Sequence, residues 1–416
     1  MDYGLDSGRG VVSSSSSTTT LTATLSSSAR APIHRRRVLV IPGEYPDLKD
    51  PRQFNGNWAE EQVRAVAAYH DVAVVYPLLT RERSRIEECL YHGVRTVTVH
   101  YRHVSKTWIA PYLAAAWRGF QYVRSELRPD CIHAHALFPS GLAAVLIGRA
   151  LGIPVVVTEH HGQLKVRTSE SRWIKRILKF TLRHATHSIA VSEHLAGEMR
   201  ELEPRATVSV VPNVIAPNFL EPSSAPAPAG RLRETCELLF VGSIRDNRKG
   251  LDELLRALRL YLDMPDAGRA HLTIIGDGRW RERFEELARS LGVRDHCRFM
   301  GSRSREEVAR AMRDCDAFVM PSKYETFGVV YAEAMACGKP VIACQGGPAE
   351  KIVPAWAGVL VPPGDAEAIA RAIRQVASGL DNYDGRRISD YARESFGPET
   401  VAAAVSRVYE RAIEEK

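Results

Sequence analysis

Short, unalternated apolar runs recur between residues 37 and 213, each closed by glycine, proline or a polar cluster. They read RVLVIP (37–42), DVAVVYP (71–77), VRTVTVH (94–100), CIHAH (131–135), PVVVTEHHG (154–162), SIAVS (188–192) and TVSVVPN (207–213). Helically spaced segments lie between them, among them GNWAEEQVRAVAAY (56–69) and SGLAAVLIGRALG (140–152). Apolar strands separated by amphipathic helices predict a parallel sheet covered on both faces.

The pattern then breaks at APNFLEPSSAPAPAG (216–230), whose Pro, Ala and Ser content reads as a linker. A second series follows: ELLFVG (237–242), HLTIIGDG (271–278), HCRFMG (296–301), AFVMPS (317–322), KPVIAC (339–344) and GVLVPPG (358–364). Asp365 is a good N-cap for the helical EAIARAIRQVA, and GPETVAAAVSRVYERAI (397–413) predicts a last helix. The expected fold is α/β, with two doubly wound domains facing across a cleft. The segments are a Ser/Thr-rich tail over 1–34, a first domain over 35–213, a linker over 214–232, a second domain over 233–396 and a terminal helix over 397–416. The tail lacks the apolar residues a core needs and reads as disordered, with a targeting segment as the lesser reading.

Composition narrows this picture only a little. A chain of 416 residues fits two domains, and no apolar stretch reaches the ~18 residues of a membrane span. The net charge of +7 suits an anionic ligand or surface without selecting one. No motif supports nucleic-acid binding. The seven cysteines are odd in number and form no C-x-x-C, which argues for a reducing compartment. Ligands in such folds bind at strand carboxyl ends, so chemistry is expected in the strand-to-helix loops.

One such loop opens YETFGVVYAEAMACG (324–338), with Glu325 and Glu333 eight positions apart. An all-helical path would separate them by ~12 Å. A retaining carboxylate dyad needs about 5 Å and an inverting one less than about 10 Å. The pair therefore reads as two acceptors along an elongated ligand. Gly328 starts the helix, and its free amides and dipole suit a phosphate. The loop Arg245–Lys249 supplies three cations, Arg245, Arg248 and Lys249, of the kind a diphosphate needs. Gly276 and Gly278 begin a dinucleotide fingerprint, but Arg281 holds its third glycine position, which disfavours a dehydrogenase.

The stretch ETFGVVYAEAMACGKPVIACQGGPAE resembles the signature of the retaining, nucleotide-sugar-dependent glycosyltransferases of family 4, which have two Rossmann-like domains. The resemblance implies that Glu325 contacts donor-sugar hydroxyls and Glu333 the ribose, with the amides of Thr326, Phe327 and Gly328 at the diphosphate. LLFVGSIRDNRKGLDELLRAL is similar to the family's first donor-domain strand and loop, and Lys249 matches its diphosphate lysine. Ser243 stands where the family has arginine, in a loop one residue longer, so Arg245 or Arg248 is the candidate substitute. In the first half, YPDLKDPRQFNGNWAEEQ implies that Gly56 approaches donor phosphate and acceptor, and TEHHG places His160 beside the reacting sugar. His133 reads as a core histidine and His135 as a cleft residue.

The same resemblance implies sugar transfer to a hydroxyl of a glycan, lipid-linked or small-molecule acceptor, in polysaccharide or glycoconjugate biosynthesis. It also implies a UDP- or GDP-linked donor, no cofactor, no metal, and a terminal helix that crosses back to the first domain. Asp314-Cys315-Asp316 spells the metal-binding D-x-D of another glycosyltransferase fold, but sits at a helix end where aspartate caps. The basic amphipathic segment 171–187 reads first as a surface helix and second as a contact with an anionic membrane. The expected location is the cytoplasm, including the inner face of its membrane. Rival readings are a sugar-nucleotide epimerase or hydrolase, and a non-catalytic nucleotide-sugar sensor.

Overall fold

The computed structural model describes residues 33–45, 57–81, 83–102, 108–162, 164–221 and 235–415. Gly56, the tail up to residue 32, residues 222–232 of the expected linker and the first two residues of the expected second domain lie outside the described residues, whereas 214–221 of that linker are described.

The N-terminal half runs β1 (Arg37–Pro42), α1 (Asn57–Ala67), β2 (Asp71–Leu79), β3 (Ile86–Tyr91), β4 (Val94–Tyr101), α2 (Ile109–Leu127), β5 (Cys131–His135), α3 (Leu142–Leu151), β6 (Val155–Glu159), α4 (Leu164–Glu170), α5 (Arg172–His184), β7 (His187–Ala190), α6 (Glu193–Leu202) and β8 (Val208–Val210). Its sheet order is β3-β4-β2-β1-β5-β6-β7-β8. Side chains alternate across a strand, and β1 feeds two layers accordingly. Leu39 and Ile41 join Phe120 of α2 and Val145 of α3 on one face. Val38 and Val40 join Val63 and Val66 of α1 on the other.

One strand departs from the expected parallel sheet. β3 pairs antiparallel with β4, across a turn in which His92 and Gly93 both have positive φ, 49° and 78°. That two-residue turn matches strand twist. β3 carries Glu87 and Glu88 and is mostly exposed, so it lacks the apolar signature of the buried strands.

After the short α7 (Pro217–Leu220), the C-terminal half runs β9 (Thr235–Val241), α8 (Leu251–Leu262), β10 (Arg269–Ile275), α9 (Arg281–Ser290), β11 (Cys297–Gly301), α10 (Arg305–Asp314), β12 (Ala317–Met320), α11 (Val329–Ala336), β13 (Val341–Cys344), α12 (Ala349–Ile352), β14 (Gly358–Val361), α13 (Ala366–Ser378) and α14 (Gly385–Phe396). Its parallel sheet has the order β11-β10-β9-β12-β13-β14.

The last helix, α15 (Pro398–Glu414), packs on the first half. Val401, Val405 and Tyr409 share the apolar layer of β1 and α1. Three polar contacts add register: the Tyr409 hydroxyl lies 2.7 Å from His133 Nδ1, Ser406 Oγ 2.7 Å from His70 Nε2, and the Glu410 carboxylate takes two bonds from the Arg36 guanidinium. His133 is fully buried, and its other nitrogen lies 2.8 Å from Thr158 Oγ1, so it is a satisfied core histidine.

The D-x-D of residues 314–316 is structural. Asp316 accepts a bond from the Glu237 amide at 2.9 Å and donates its own amide back to Glu237, tying β12 to β9. In α5, Leu178 and Leu182 are buried on the fold while Trp173 stays half exposed against Phe138. None of the seven cysteines forms a disulfide.

Candidate active site

The C-terminal half builds its share of the site from two loops laced together largely by their backbones. Gly250 caps α8 in the left-handed region (φ 75°), and a side chain there would run into the Pro321 carbonyl. The Lys323 amide and the Ser322 hydroxyl both donate to the Arg248 carbonyl, at 2.8 and 3.1 Å. This lacing brings Lys249 against Glu325, where Nζ donates to Oε1 at 2.6 Å. Both side chains are only partly exposed, so the pair is shielded yet reachable.

Gly328 starts α11 with φ 82° and no side-chain cap, so the first amides of the helix keep their anion-binding character. The three turn residues divide their work. The Phe327 side chain is buried against Phe396, which leaves its backbone as its only group for a ligand. Thr326 Oγ1 accepts a 2.8 Å bond from the Gly162 amide of the N-terminal half. A Cβ on Gly162 would collide with the Tyr324 hydroxyl, so the N-terminal half meets these two side chains through bare backbone.

The arginines of the loop after β9 differ in their commitments. Arg248 is exposed and pinned by Asp246, whose Oδ2 accepts from Nε at 2.9 Å. Arg245 is exposed, and among the described residues its guanidinium forms no ion pair. Its carbonyl accepts from Arg279 Nε at 2.9 Å, which fixes its backbone and leaves its side chain to the solvent.

Glu333 is buried on α11, and its Oε1 accepts from Arg305 at 3.2 Å. Burial pushes its carboxyl up to about 7, against the opposing pull of Arg305, and the nearby Glu61 adds to the rise. The same guanidinium lies 3.5 Å from Glu61 of α1. Sequence reading passed over Arg305 and Glu61. Nothing in the spacing of either residue points to Glu333: Arg305 reaches it from another helix of the same half, and Glu61 comes near only where the two halves dock.

In the N-terminal half, β5 and β6 end side by side, delivering His135 and the Glu159-His160-His161 run to the cleft. Glu159 is fully buried, yet its carboxyl is held below the usual range. Burial alone would raise it, but His161 and the amides of Leu137 and His161 outweigh that. The His161 imidazole is raised correspondingly, first by its bond to Glu159.

His160 Nδ1 lies 2.9 Å from Asn213 Oδ1, and Nε2 lies 2.9 Å from His135 Nδ1. The Asn213 oxygen can only accept, so His160 carries its proton on Nδ1 and accepts from His135 at Nε2. Burial pushes His160 down to about 4, so it is neutral. Both its nitrogens hold protein partners, its ring lies nearly coplanar with that of His135, and the Trp58 ring centroid is 6.4 Å away. A small cleft lined by Glu44, Trp58, His135, Ala136, His160 and His161 opens beside it.

Residues 56–219 match the model of the Glycosyltransferase Family 4 domain, and residues 230–395 that of Glycosyl transferases group 1. The chain is 30% identical over 340 residues to D-inositol 3-phosphate glycosyltransferase of Streptomyces scabiei, covering 75% of each. The chain belongs to the family 4 glycosyltransferases. It is therefore a nucleotide-sugar-dependent glycosyltransferase, which sets aside the epimerase and sensor readings. Its fold is that of sucrose-phosphate synthase from Thermosynechococcus elongatus (TM-score 0.70, 20% identity, covering 92% of this chain and 100% of that one). The Anabaena protein HepE, solved with UDP and glucose, shares it as well (TM-score 0.68, 17% identity, covering 90% and 99%). In this family 4 glycosyltransferase, the paired loops of the donor half and the β5 and β6 ends of the other half meet at Thr326 and Gly162.

Proposed function

We propose that this enzyme transfers a sugar from a UDP- or GDP-linked donor to an acceptor hydroxyl with retention at the anomeric carbon. The observation that carries the reading is the Lys249–Glu325 ion pair at the foot of an uncapped helix, facing the β6 end. In this reading the donor diphosphate lies on Lys249, the Arg245 side chain and the α11 amides. Arg245 is the better substitute for the arginine that Ser243 replaces, because Arg248 is held by Asp246. Glu325 then takes the sugar hydroxyls and Glu333 the ribose. HepE, with UDP and glucose bound, is a precedent on this fold for a uridine donor.

Transfer breaks the bond between the anomeric carbon and the diphosphate oxygen and forms a bond to the acceptor oxygen on the same face. The acceptor proton passes to the leaving diphosphate, so no enzymatic nucleophile is required. Lys249, Arg245 and the helix amides would stabilise the departing charge electrostatically, without a metal ion or cofactor. The neutral His160, clamped between Asn213 and His135, would order the sugar-facing wall rather than exchange protons.

The acceptor is a glycan, lipid-linked or small-molecule hydroxyl reached from the Trp58–His161 cleft, as in polysaccharide or glycoconjugate assembly. No described helix is long and apolar enough to cross a membrane. The exposed Trp173 beside the basic face of α5 supports contact with the cytoplasmic face of an anionic membrane.

A thermal-shift screen over UDP-, GDP- and ADP-sugars tests the donor, since a ligand that binds only the folded state raises the melting temperature. NMR of the transferred sugar then tests retention. Stabilisation by no diphosphate nucleotide, or an inverted product, would refute the corresponding part.

A further inference from the structure

Arg305 is shared by carboxylates from opposite halves of the enzyme. Its guanidinium is 3.2 Å from Glu333 of α11 and 3.5 Å from Glu61 of α1, and both carboxylates are almost fully buried. The arginine is itself held in place. It opens α10 behind a Ser304–Glu307 capping box, and its guanidinium lies 5.7 Å from the Phe219 ring centroid on α7. Glu333 therefore relies on a guanidinium that it shares with Glu61, while Glu61 also lies 3.8 Å from Arg64.

We propose that Arg305 is a positioning residue for nucleotide recognition, which presents the Glu333 carboxylate to the ribose while Glu61, from the acceptor half, competes for the same guanidinium. This rests on the reading of Glu333 as the ribose acceptor. It makes donor affinity depend on a residue that belongs to the other half and touches no part of the nucleotide. The groups facing the cluster are few. Glu333 meets Arg305 and Glu61, while Glu61 also meets Arg64 and Glu60 on α1 and His92 at the β3–β4 turn. Removing Arg305 leaves Glu333 with only a like charge beside it, so its ionised form becomes harder to keep. Removing the charge of Glu61 gives Glu333 sole use of the arginine, so its ionised form becomes easier to keep. A mere clamp between the halves would not distinguish the two losses by sign.

The test is the affinity for UDP, or for GDP if the screen selects it, measured by calorimetry from about pH 5.5 to about pH 8.5. Protonation of Glu333 removes an acceptor, so the parent should lose affinity as pH falls through about 7. In Arg305→Gln that loss should begin at higher pH, with binding roughly fivefold weaker at neutral pH, as for a midpoint raised by about one unit. In Glu61→Gln it should move to lower pH. Arg305→Lys should restore most of the parent profile, and it covers the case in which the glutamine variant does not fold. The nucleotide's own titration is common to all variants and cancels in the comparison. Midpoints that coincide with the parent's, or that move the same way in both variants, would overturn the proposal. Parent-like UDP binding by Glu333→Gln would instead overturn the ribose assignment beneath it.

Discussion

Lys249 and Glu325, 76 positions apart in sequence, meet in a 2.6 Å hydrogen bond at the lip of the donor half. On the function proposed above, the pair lets a carboxylate and a diphosphate-binding cation share a small site: each would neutralise the other until a donor arrives, when the lysine would turn to phosphate and the carboxylate to sugar hydroxyls. The two halves of this exchange can be separated by mutation.

Glu325→Gln keeps the shape of the side chain and removes its charge. Lys249 is then left for the diphosphate alone, so nucleotide affinity should hold or tighten a few-fold. Transfer should fall on the order of 100-fold, the scale of one lost transition-state contact. Calorimetric Kd for the nucleotide, set against kcat for transfer, checks the split. A loss of nucleotide affinity with kcat unchanged would mean that Glu325 serves binding alone.

The interdomain contact at Gly162 makes a steric prediction. Its amide donates to Thr326 while its bare Cα faces the Tyr324 hydroxyl. Gly162→Ala should hold the two halves apart, reducing kcat roughly tenfold or more, the scale on which small misplacements act. Nucleotide binding to the donor half should change little. Melting temperature and UDP affinity measured on the same variant check that the defect lies in assembly of the site.

His133 gives a pH prediction with a definite sign. Burial pushes its imidazole down to about 3, whereas an unfolded histidine titrates near about 6.5. The unfolded state therefore binds the extra proton first, and the stability held by neutral His133 is lost as pH falls from about 6.5 toward about 3. His133→Asn should be less stable than the parent at neutral pH, since it abandons Tyr409 and Thr158. Its deficit should shrink by roughly 2 kcal/mol between about pH 6.5 and about pH 5. Urea melts of both proteins at the two pH values measure this.

How much of this was legible in the chain differs by level. The buried strands announced themselves because both faces are covered, which removes polar alternation; RVLVIP and CIHAH could hardly be anything else. The edge strand β3 did not, because its exposed glutamates carry no burial signal. Glu325, Glu333 and Lys249 were visible as a spaced set within one motif and one loop. Their partners were not. The Lys249–Glu325 bond, the Asn213–His160–His135 chain and the Glu61–Arg305–Glu333 cluster all join residues from different elements. No local spacing encodes such meetings. The difference in commitment between Arg245 and Arg248 likewise depends on where the Asp246 side chain points.

The face of α5 predicts membrane behaviour. Trp173 is half exposed, and Arg172, Lys175, Arg176 and Lys179 are exposed on the same helix. Binding to vesicles containing phosphatidylserine should exceed binding to neutral vesicles and weaken with salt. Trp173→Ala should reduce it several-fold without altering nucleotide affinity. Co-sedimentation at two salt concentrations decides whether the helix is a docking surface or an ordinary solvated one.

The central claim is that the donor diphosphate is gripped where Lys249 meets the start of α11. Calorimetric titration of UDP and GDP into the parent enzyme and into Lys249→Ala tests it most directly. A charge-assisted contact of this kind contributes about 1.5–3 kcal/mol. One nucleotide should therefore bind per chain in the parent, with affinity roughly 10- to 100-fold weaker in the variant. Equal affinity in the two proteins would contradict it.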